Sequence, residues 1–336
     1  MKLDIVIPIY NEEDNLAELQ NRLRAACDSM EGVEWRVIYV NDGSADRSLP
    51  LMLEQQERDK RFTVIDLSRN FGHQAAITAG LAHAEGDAVV FMDGDLQDPP
   101  EVIPALVARW GEGVQVVRAQ RRSRKERGLR RAGFEAFHRL FRWISDFPIP
   151  AQTGIFGLLD RQAVEALRHF PEKNRFLPGL RSWVGFEQGE VLYDRQERAG
   201  GEPKQSFKRL IKYALDAVFS FSYKPLKLMT VSGTVISAAG FLLACVFVFK
   251  RLVGIETAQT GFTTLVTLIL VLGGVQLIAV GILGEYLARI YDEVKQRPLF
   301  IVKEKHGLAD PETAERDRDS AQSISPSKGE RLSERQ

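Results

Sequence analysis

The sequence predicts an α/β protein: a mostly parallel sheet, then an amphipathic interfacial helix, then two transmembrane helices. Three observations predict it. Residues 1–120 alternate short β-branched or aromatic runs with helical patterns, as expected for parallel strands with helices on both faces. Each of four polar motifs begins at or just after the end of one of those runs, where such sheets hold their ligands. Beyond residue 225 the composition changes abruptly to two long stretches without charge.

The elements follow in order. "LDIVIPIY" (3–10) is the first strand. A helix over about 14–30 carries Leu16, Leu19, Leu23, Cys27 and Met30 at helical spacing, with cap chemistry expected from Asn11 to Asp14. "WRVIYV" (35–40), "FTVIDL" (62–67), "AVVFMD" (88–93) and "VQVVRA" (114–119) are the next strands, separated by helices near 46–59, 73–84 and 101–110. "PIYNEE" (8–13), "NDGSAD" (41–46), "LSRNFGHQ" (67–74) and "DGDLQD" (93–98) should therefore face one crevice. The middle, 121–225, is less regular and includes an arginine-rich run, "RRSRKERGLRR" (121–131), and an aromatic helix candidate at 134–144.

Residues 228–249 and 257–284 lack charge for roughly 22 and 28 positions, each enough for the ~20 that cross a bilayer. Basic residues flank the outer ends of the pair, Lys208, Arg209, Lys212, Lys224 and Lys227 before it and Arg289, Lys295, Arg297, Lys303 and Lys305 after it. The positive-inside tendency places both termini in the cytoplasm. Residues 206–221 mix basic and apolar positions at helical spacing and read as a helix in the headgroup plane. The N-terminus turns acidic too early for a secretory signal. The expected division is 1–205 catalytic, 206–225 interfacial, 226–290 transmembrane and 291–336 a cytoplasmic tail, disordered from about 308.

Lys+Arg and Asp+Glu both total 45, so no net charge draws the chain to nucleic acid. The arginine run lacks the interleaved aromatics that stack bases. The two cysteines, Cys27 and Cys245, read as small hydrophobes rather than a disulfide framework.

Chemistry concentrates just beyond the fourth strand, where Asp93, Asp95, Asp98 and Glu101 crowd together. Like charges that close call for a cation among them. Mg²⁺ or Mn²⁺ takes oxygen ligands, and Mg²⁺ accepts one or two carboxylates and fills its shell with phosphate oxygens and water. Asp93, Asp95 and the Gln97 carbonyl would leave space for a diphosphate. Asp42, at the end of the second strand, can accept from a nucleobase or ribose edge, although Asp-Gly-Ser is also a common turn. Asp46 reads as a cap of the following helix.

"IPIYNEEDN", "VNDGSADRS", "LSRNFGHQAAITAGL", "MDGDLQDPPEVIP" and "RFLPGLRSWVGF…VLYDRQERAGGEPKQSFKRL", followed by two spans, resemble the family 2 glycosyltransferases, and within them the polyprenyl-phosphate group. The resemblance runs in order over about residues 3–300. It implies a GT-A fold, a nucleotide-sugar donor (a UDP-sugar first), a divalent metal and a polyprenyl phosphate acceptor, at the bacterial inner membrane. It also implies metal ligands at Asp93, Asp95 and Gln97, and nucleotide contacts at Pro8, Tyr10, Glu12 and Asp42 with Asn70 and Gly72 in the adjoining loop. Arg121 and Arg124 match the basic positions for the donor diphosphate, and Arg195, Arg198 and Lys204 match those for the lipid phosphate. Relatives of this kind suggest a homo-oligomer assembled through the spans.

Two positions depart from the family pattern. Pro203 stands where a serine is expected, and Ile155 and Gly157 stand where G-D-F-R-L is common, so the carboxylate proposed as a base is missing. A lipid monophosphate, with a second pKa near ~6, already presents an anionic oxygen, so attack needs little proton removal. Asp160 nearby reads as a helix cap. The reading is an inverting transfer of glucose from UDP-glucose to undecaprenyl phosphate, with GDP-mannose or a modified UDP-sugar as alternative donors. A non-catalytic nucleotide-sugar-binding scaffold is the competitor that Ile155 raises. A processive synthase would need more spans and a Q-x-x-R-W motif, and neither occurs.

Overall fold

A computed structural model describes residues 1–122, 153–173, 175–194, 224–253 and 261–308. The first half alternates as expected: β1 (Lys2–Ile9), α1 (Glu13–Asp28), β2 (Glu34–Asn41), α2 (Ser48–Arg58), β3 (Phe62–Leu67), α3 (His73–His83), β4 (Ala88–Phe91), α4 (Ile103–Gly111) and β5 (Val116–Arg121). There follow β6 (Thr153–Asp160), α5 (Arg161–Arg168), α6 (Leu177–Trp183), β7 (Gln188–Tyr193), the long helices α7 (Lys224–Leu252) and α8 (Phe262–Val294), and β8 (Val302–His306).

The strands form one eight-stranded sheet in the order β7-β5-β6-β4-β1-β2-β3-β8. Pairings of β1 with β2 and β4, of β2 with β3 and of β5 with β7 are parallel; β6 and β8 run antiparallel to their neighbours. Helices α1, α2 and α4 cover one face through Leu16, Leu23, Met52 and Leu106. Helices α3, α5 and α6 cover the other through Ile77, Leu81, Leu167 and Leu180. Burial on both faces explains why β1 and β3 read as nearly unbroken apolar runs.

The structure departs from the sequence reading at β6, β7 and β8, none of which was expected as a strand. β6 carries Gly154 and Gly157 and slots antiparallel between β4 and β5, which breaks the simple parallel alternation. β7 is an edge strand with an uneven burial pattern. β8 is the charged segment VKEKH, expected as part of a tail; charge is what natural edge strands use to discourage further pairing. It lies along β3, with Ser68 N–H donating to the Ile301 carbonyl (2.9 Å) and Lys303 Nζ reaching Asp66 (3.3 Å).

Helices α7 and α8 are long and apolar enough to cross a membrane by length and composition, over Leu226–Leu243 and Val271–Val294. Helix α8 runs past the expected boundary at 290, and its last turn grips the sheet domain. Lys173 donates its backbone N–H to Glu293 Oε1 (2.8 Å) and its ammonium to the Asp292 carbonyl (2.8 Å). The helices expected at 134–144 and 206–221 and the tail from 309 lie outside the described residues, as do Arg124, Arg195, Arg198 and Lys204.

Candidate active site

The four motifs do converge at the carboxyl ends of the central strands. The turn after β1 and the turn after β2 are tied together. Asn11 N–H donates to Ser44 Oγ (3.1 Å), Ala45 N–H to Asn11 Oδ1 (2.8 Å) and Arg47 N–H to Glu13 Oε2 (2.9 Å). Glu12 and Glu13 N–H donate to Ser48 Oγ (2.9 Å) and Asp46 Oδ2 (3.2 Å). The entry of α1 is thus capped from the neighbouring loop, not by the local cap chemistry expected from Asn11 to Asp14, because Asn11 takes a left-handed conformation (φ 53°) and spends its amide on Ala45. Asp46 takes the structural role foreseen for it, also accepting from Ser48 N–H at the start of α2 (2.9 Å).

Asp42 is buried and accepts from the Phe71 and Gly72 amides (2.7 and 3.0 Å). Burial raises its pKa against the pull of those two bonds. Its role in shaping the loop that holds Asn70 and Gly72 therefore comes before any contact with a nucleotide. Gly43 makes this possible. At φ +68°, a Cβ there would stand 2.6 Å from the Arg69 and Asn70 backbone. Tyr10, at 49% exposed, projects from the end of β1 with its ring available for stacking.

The acidic cluster divides into three roles. Glu101 turns away and forms a bidentate pair with Arg22 (2.8 and 2.7 Å), which lowers its pKa. Asp98 is buried, accepts from the Tyr193 hydroxyl (2.6 Å) and lies 3.6 Å from Arg121 Nη2. Arg121 Nε in turn donates to the Tyr193 oxygen (3.0 Å). Desolvation raises the Asp98 pKa, with further repulsion from Asp93. Only Asp93 and Asp95 remain half-exposed at the rim. Asp93 Oδ1 is 2.8 Å from His73 Nε2, and Asp95 accepts from the Gln97 N–H (3.2 Å). The loop is strained: Leu96 is buried at φ 61°, a conformation that costs a leucine on the order of 1–3 kcal/mol.

Among the described residues no three acidic, histidine or cysteine side chains form a ready-made metal cage. The residues present nonetheless fit a hard divalent ion: two rim carboxylates, Asp93 and Asp95, suit an ion that takes its other ligands from phosphate oxygens and water. Arg121 lies one salt bridge away from this rim through Asp98. At the departing positions, Ile155 and Gly157 occupy β6, and a Cβ at 157 would stand 2.5 Å from the Val117 carbonyl and 3.1 Å from Nη1 of the buried Arg181. Its guanidinium donates to the carbonyls of Gly154 (2.6 Å) and Ile155 (2.9 Å), and desolvation lowers its pKa to about 10.

His73 and Tyr193 had no assigned part in the sequence reading, and Asp98 was read only as one of the acidic crowd. The glycine-histidine step at the entry of α3 was a signal for the first; only the fold brings Tyr193 to Asp98, 95 residues away.

A mixed, largely parallel sheet bearing two rim carboxylates at the carboxyl ends of its central strands is the architecture of a GT-A-like glycosyltransferase. Residues 4–168 match the family model described as Glycosyl transferase family 2, and the chain belongs to that family. It is 42% identical over 309 residues to the "Uncharacterized glycosyltransferase YkcC" of Bacillus subtilis, covering 92% of this chain and 95% of that one. It is 38% identical over 307 residues to the "Bactoprenol glucosyl transferase" of Shigella phage SfII, covering 91% and 99% respectively. A crystal structure of mannosyl-3-phosphoglycerate synthase from Rubrobacter xylanophilus aligns with a TM-score of 0.47 and 19% identity, over 65% of this chain and 72% of its own.

Proposed function

We propose that this enzyme transfers glucose from UDP-glucose to undecaprenyl or a similar polyprenyl phosphate at the cytoplasmic face of a bacterial inner membrane, with Mg²⁺ or Mn²⁺. The observation that carries the reading is the match over nearly the full length of a bactoprenol glucosyl transferase, which extends through the two apolar helices. Three features support it. Asp93 and Asp95 would hold the ion, which neutralises diphosphate charge when bound. Arg121, held by Tyr193, brings a guanidinium to the same rim. The pairing of β8 with β3 supports a topology in which the segments before α7 and after α8 share one side of the membrane.

In the transfer an anionic phosphate oxygen forms a bond to the anomeric carbon as the bond to the donor's β-phosphate oxygen breaks. The nucleotide leaves with the electron pair, and the configuration inverts. No carboxylate at position 155 is needed to remove a proton from a phosphate already ionised near neutral pH. The chain's task is to orient the two phosphates and stabilise the leaving charge. The test is incubation of membranes containing the protein with labelled UDP-glucose, GDP-mannose or other nucleotide sugars, polyprenyl phosphate and Mg²⁺ or Mn²⁺. Labelled lipid from UDP-glucose is expected; no labelled lipid from any donor refutes the reading.

A further inference from the structure

A cavity of about 540 Å³ lies at the entry of α3, beside the loop whose Phe71 and Gly72 amides donate to Asp42. Its walls include Phe71, Ala75 and Thr78 at the entry of α3, Lys173 and Arg175 between α5 and α6, and Leu299 just after α8. Three properties distinguish it.

Its cations are held by carbonyls rather than by carboxylates, although Glu172 lies near Arg175 and Glu293 accepts from the Lys173 backbone N–H (2.8 Å). Arg175 is half-buried and donates only to carbonyls, those of Glu172 (3.1 Å) and Phe170, while the Lys173 ammonium donates to the Asp292 carbonyl. Neither forms an ion pair among the described residues. Desolvation lowers the Arg175 pKa, and the nearby Glu172 charge offsets this only in part. A guanidinium placed so would be stabilised by an incoming anion. The positive end of α3, which begins without a side-chain cap, adds to the same preference.

Its depth is that of a membrane surface. Lys173 is bonded twice to the last turn of α8, where the apolar window ends, and Leu299 lies five residues past that helix. Lipid headgroups would sit at this level if α8 spans.

It also adjoins the catalytic rim. His73 lines the cavity and its Nε2 is 2.8 Å from Asp93 Oδ1, so one side chain separates the two.

We infer that this cavity receives the phosphate monoester of the lipid acceptor, with Lys173 and Arg175 holding the phosphate and Phe71, Ala75 and Leu299 contacting the first carbons of the chain. The inference rests on the acceptor proposed above and adds binding groups beyond Arg195, Arg198 and Lys204.

The test uses the full chain in nanodiscs, with farnesyl phosphate as binding probe and undecaprenyl phosphate as substrate. Arg175→Gln and Lys173→Gln are expected to raise the acceptor KM about tenfold, leaving the UDP-glucose KM within about twofold. Arg175→Lys should recover part of the loss. Ala75→Phe, which fills the cavity without altering charge, should raise the acceptor KM as well. Farnesyl phosphate should bind the wild type and farnesol should not. Normal acceptor KM in Arg175→Gln and Ala75→Phe, with melting unchanged, overturns the assignment and leaves the transfer reading standing. Equal loss of donor and acceptor binding also overturns it, as does competition by inorganic phosphate as strong as that by farnesyl phosphate. If the wild type transfers nothing yet binds farnesyl phosphate, and Arg175→Gln abolishes that binding, the cavity assignment stands and the transfer reading falls.

Discussion

Replacing Tyr193 with phenylalanine removes one oxygen and little else. The ring keeps its edge-on contact with Phe156, whose centroid is 5.5 Å away. What goes is the 2.6 Å donor to a buried carboxylate and the acceptor for Arg121 Nε. Stripping a buried charged group of its donor costs about 1–3 kcal/mol. Asp98 then keeps only the longer approach of Arg121 at 3.6 Å. For a domain of this size each kcal/mol moves the melting temperature by about 2–4 °C, so a fall of roughly 2–12 °C is expected. Turnover should fall about tenfold, less than the ~10²–10³ seen when a charge-stabilising donor is deleted outright, because Arg121 is disoriented rather than lost. Thermal melts in detergent and initial rates with a labelled donor measure both. A double-mutant cycle with Asp98→Asn should give a coupling of about 1–2 kcal/mol. A variant that melts within a degree of wild type, with strictly additive effects in the cycle, would refute the idea that this hydroxyl organises the rim.

Asp93→Asn and Asp95→Asn should each lower turnover by about a hundredfold or more and weaken Mn²⁺ binding, with membrane insertion intact; near-normal rates and Mn²⁺ affinity would show the ligands misassigned. Gly43→Ala forces a Cβ to within 2.6 Å of the Arg69–Asn70 backbone at φ +68° and should push the 69–72 loop off Asp42, raising the donor KM about tenfold; an unchanged KM refutes the link between that loop and the donor. Burial pushes the Cys27 thiol up to about 12. The unfolded thiol, near ~8.5, loses its proton first, so the unfolded state binds fewer protons and stability falls as pH rises above that value, by about 1 kcal/mol between pH 9 and 10. The slope should shrink by that amount in Cys27→Ala, leaving the share of the buried Tyr39 and Tyr193, whose pKa values are also raised by desolvation; a slope undiminished in that variant rules Cys27 out as a contributor.

The central sheet was legible because β1 to β4 are buried on both faces and the helices between them carry their apolar residues at helical spacing. The rim was legible for the same reason: each motif follows directly on a buried strand. What the sequence concealed depends on long-range pairing. VKEKH has no apolar pattern of its own and becomes a strand only because β3 offers a free edge. Asp98 and Glu101, alike in the sequence as members of one acidic crowd, are separated by partners on distant elements, Tyr193 on β7 and Arg22 on α1. Lys173 and Arg175 look like ordinary loop charges until α8 is seen to end beside them.

The placement of β8 has a consequence for biogenesis. Residues 302–306 leave the ribosome only after both apolar helices have been made, yet they close the sheet begun by the first residues translated. Until then β3 presents an open row of amides and carbonyls, the kind of template on which nascent chains join one another. A fragment cut before residue 224 would keep that open row permanently, so its solubility should be restored by a supplied 299–308 peptide.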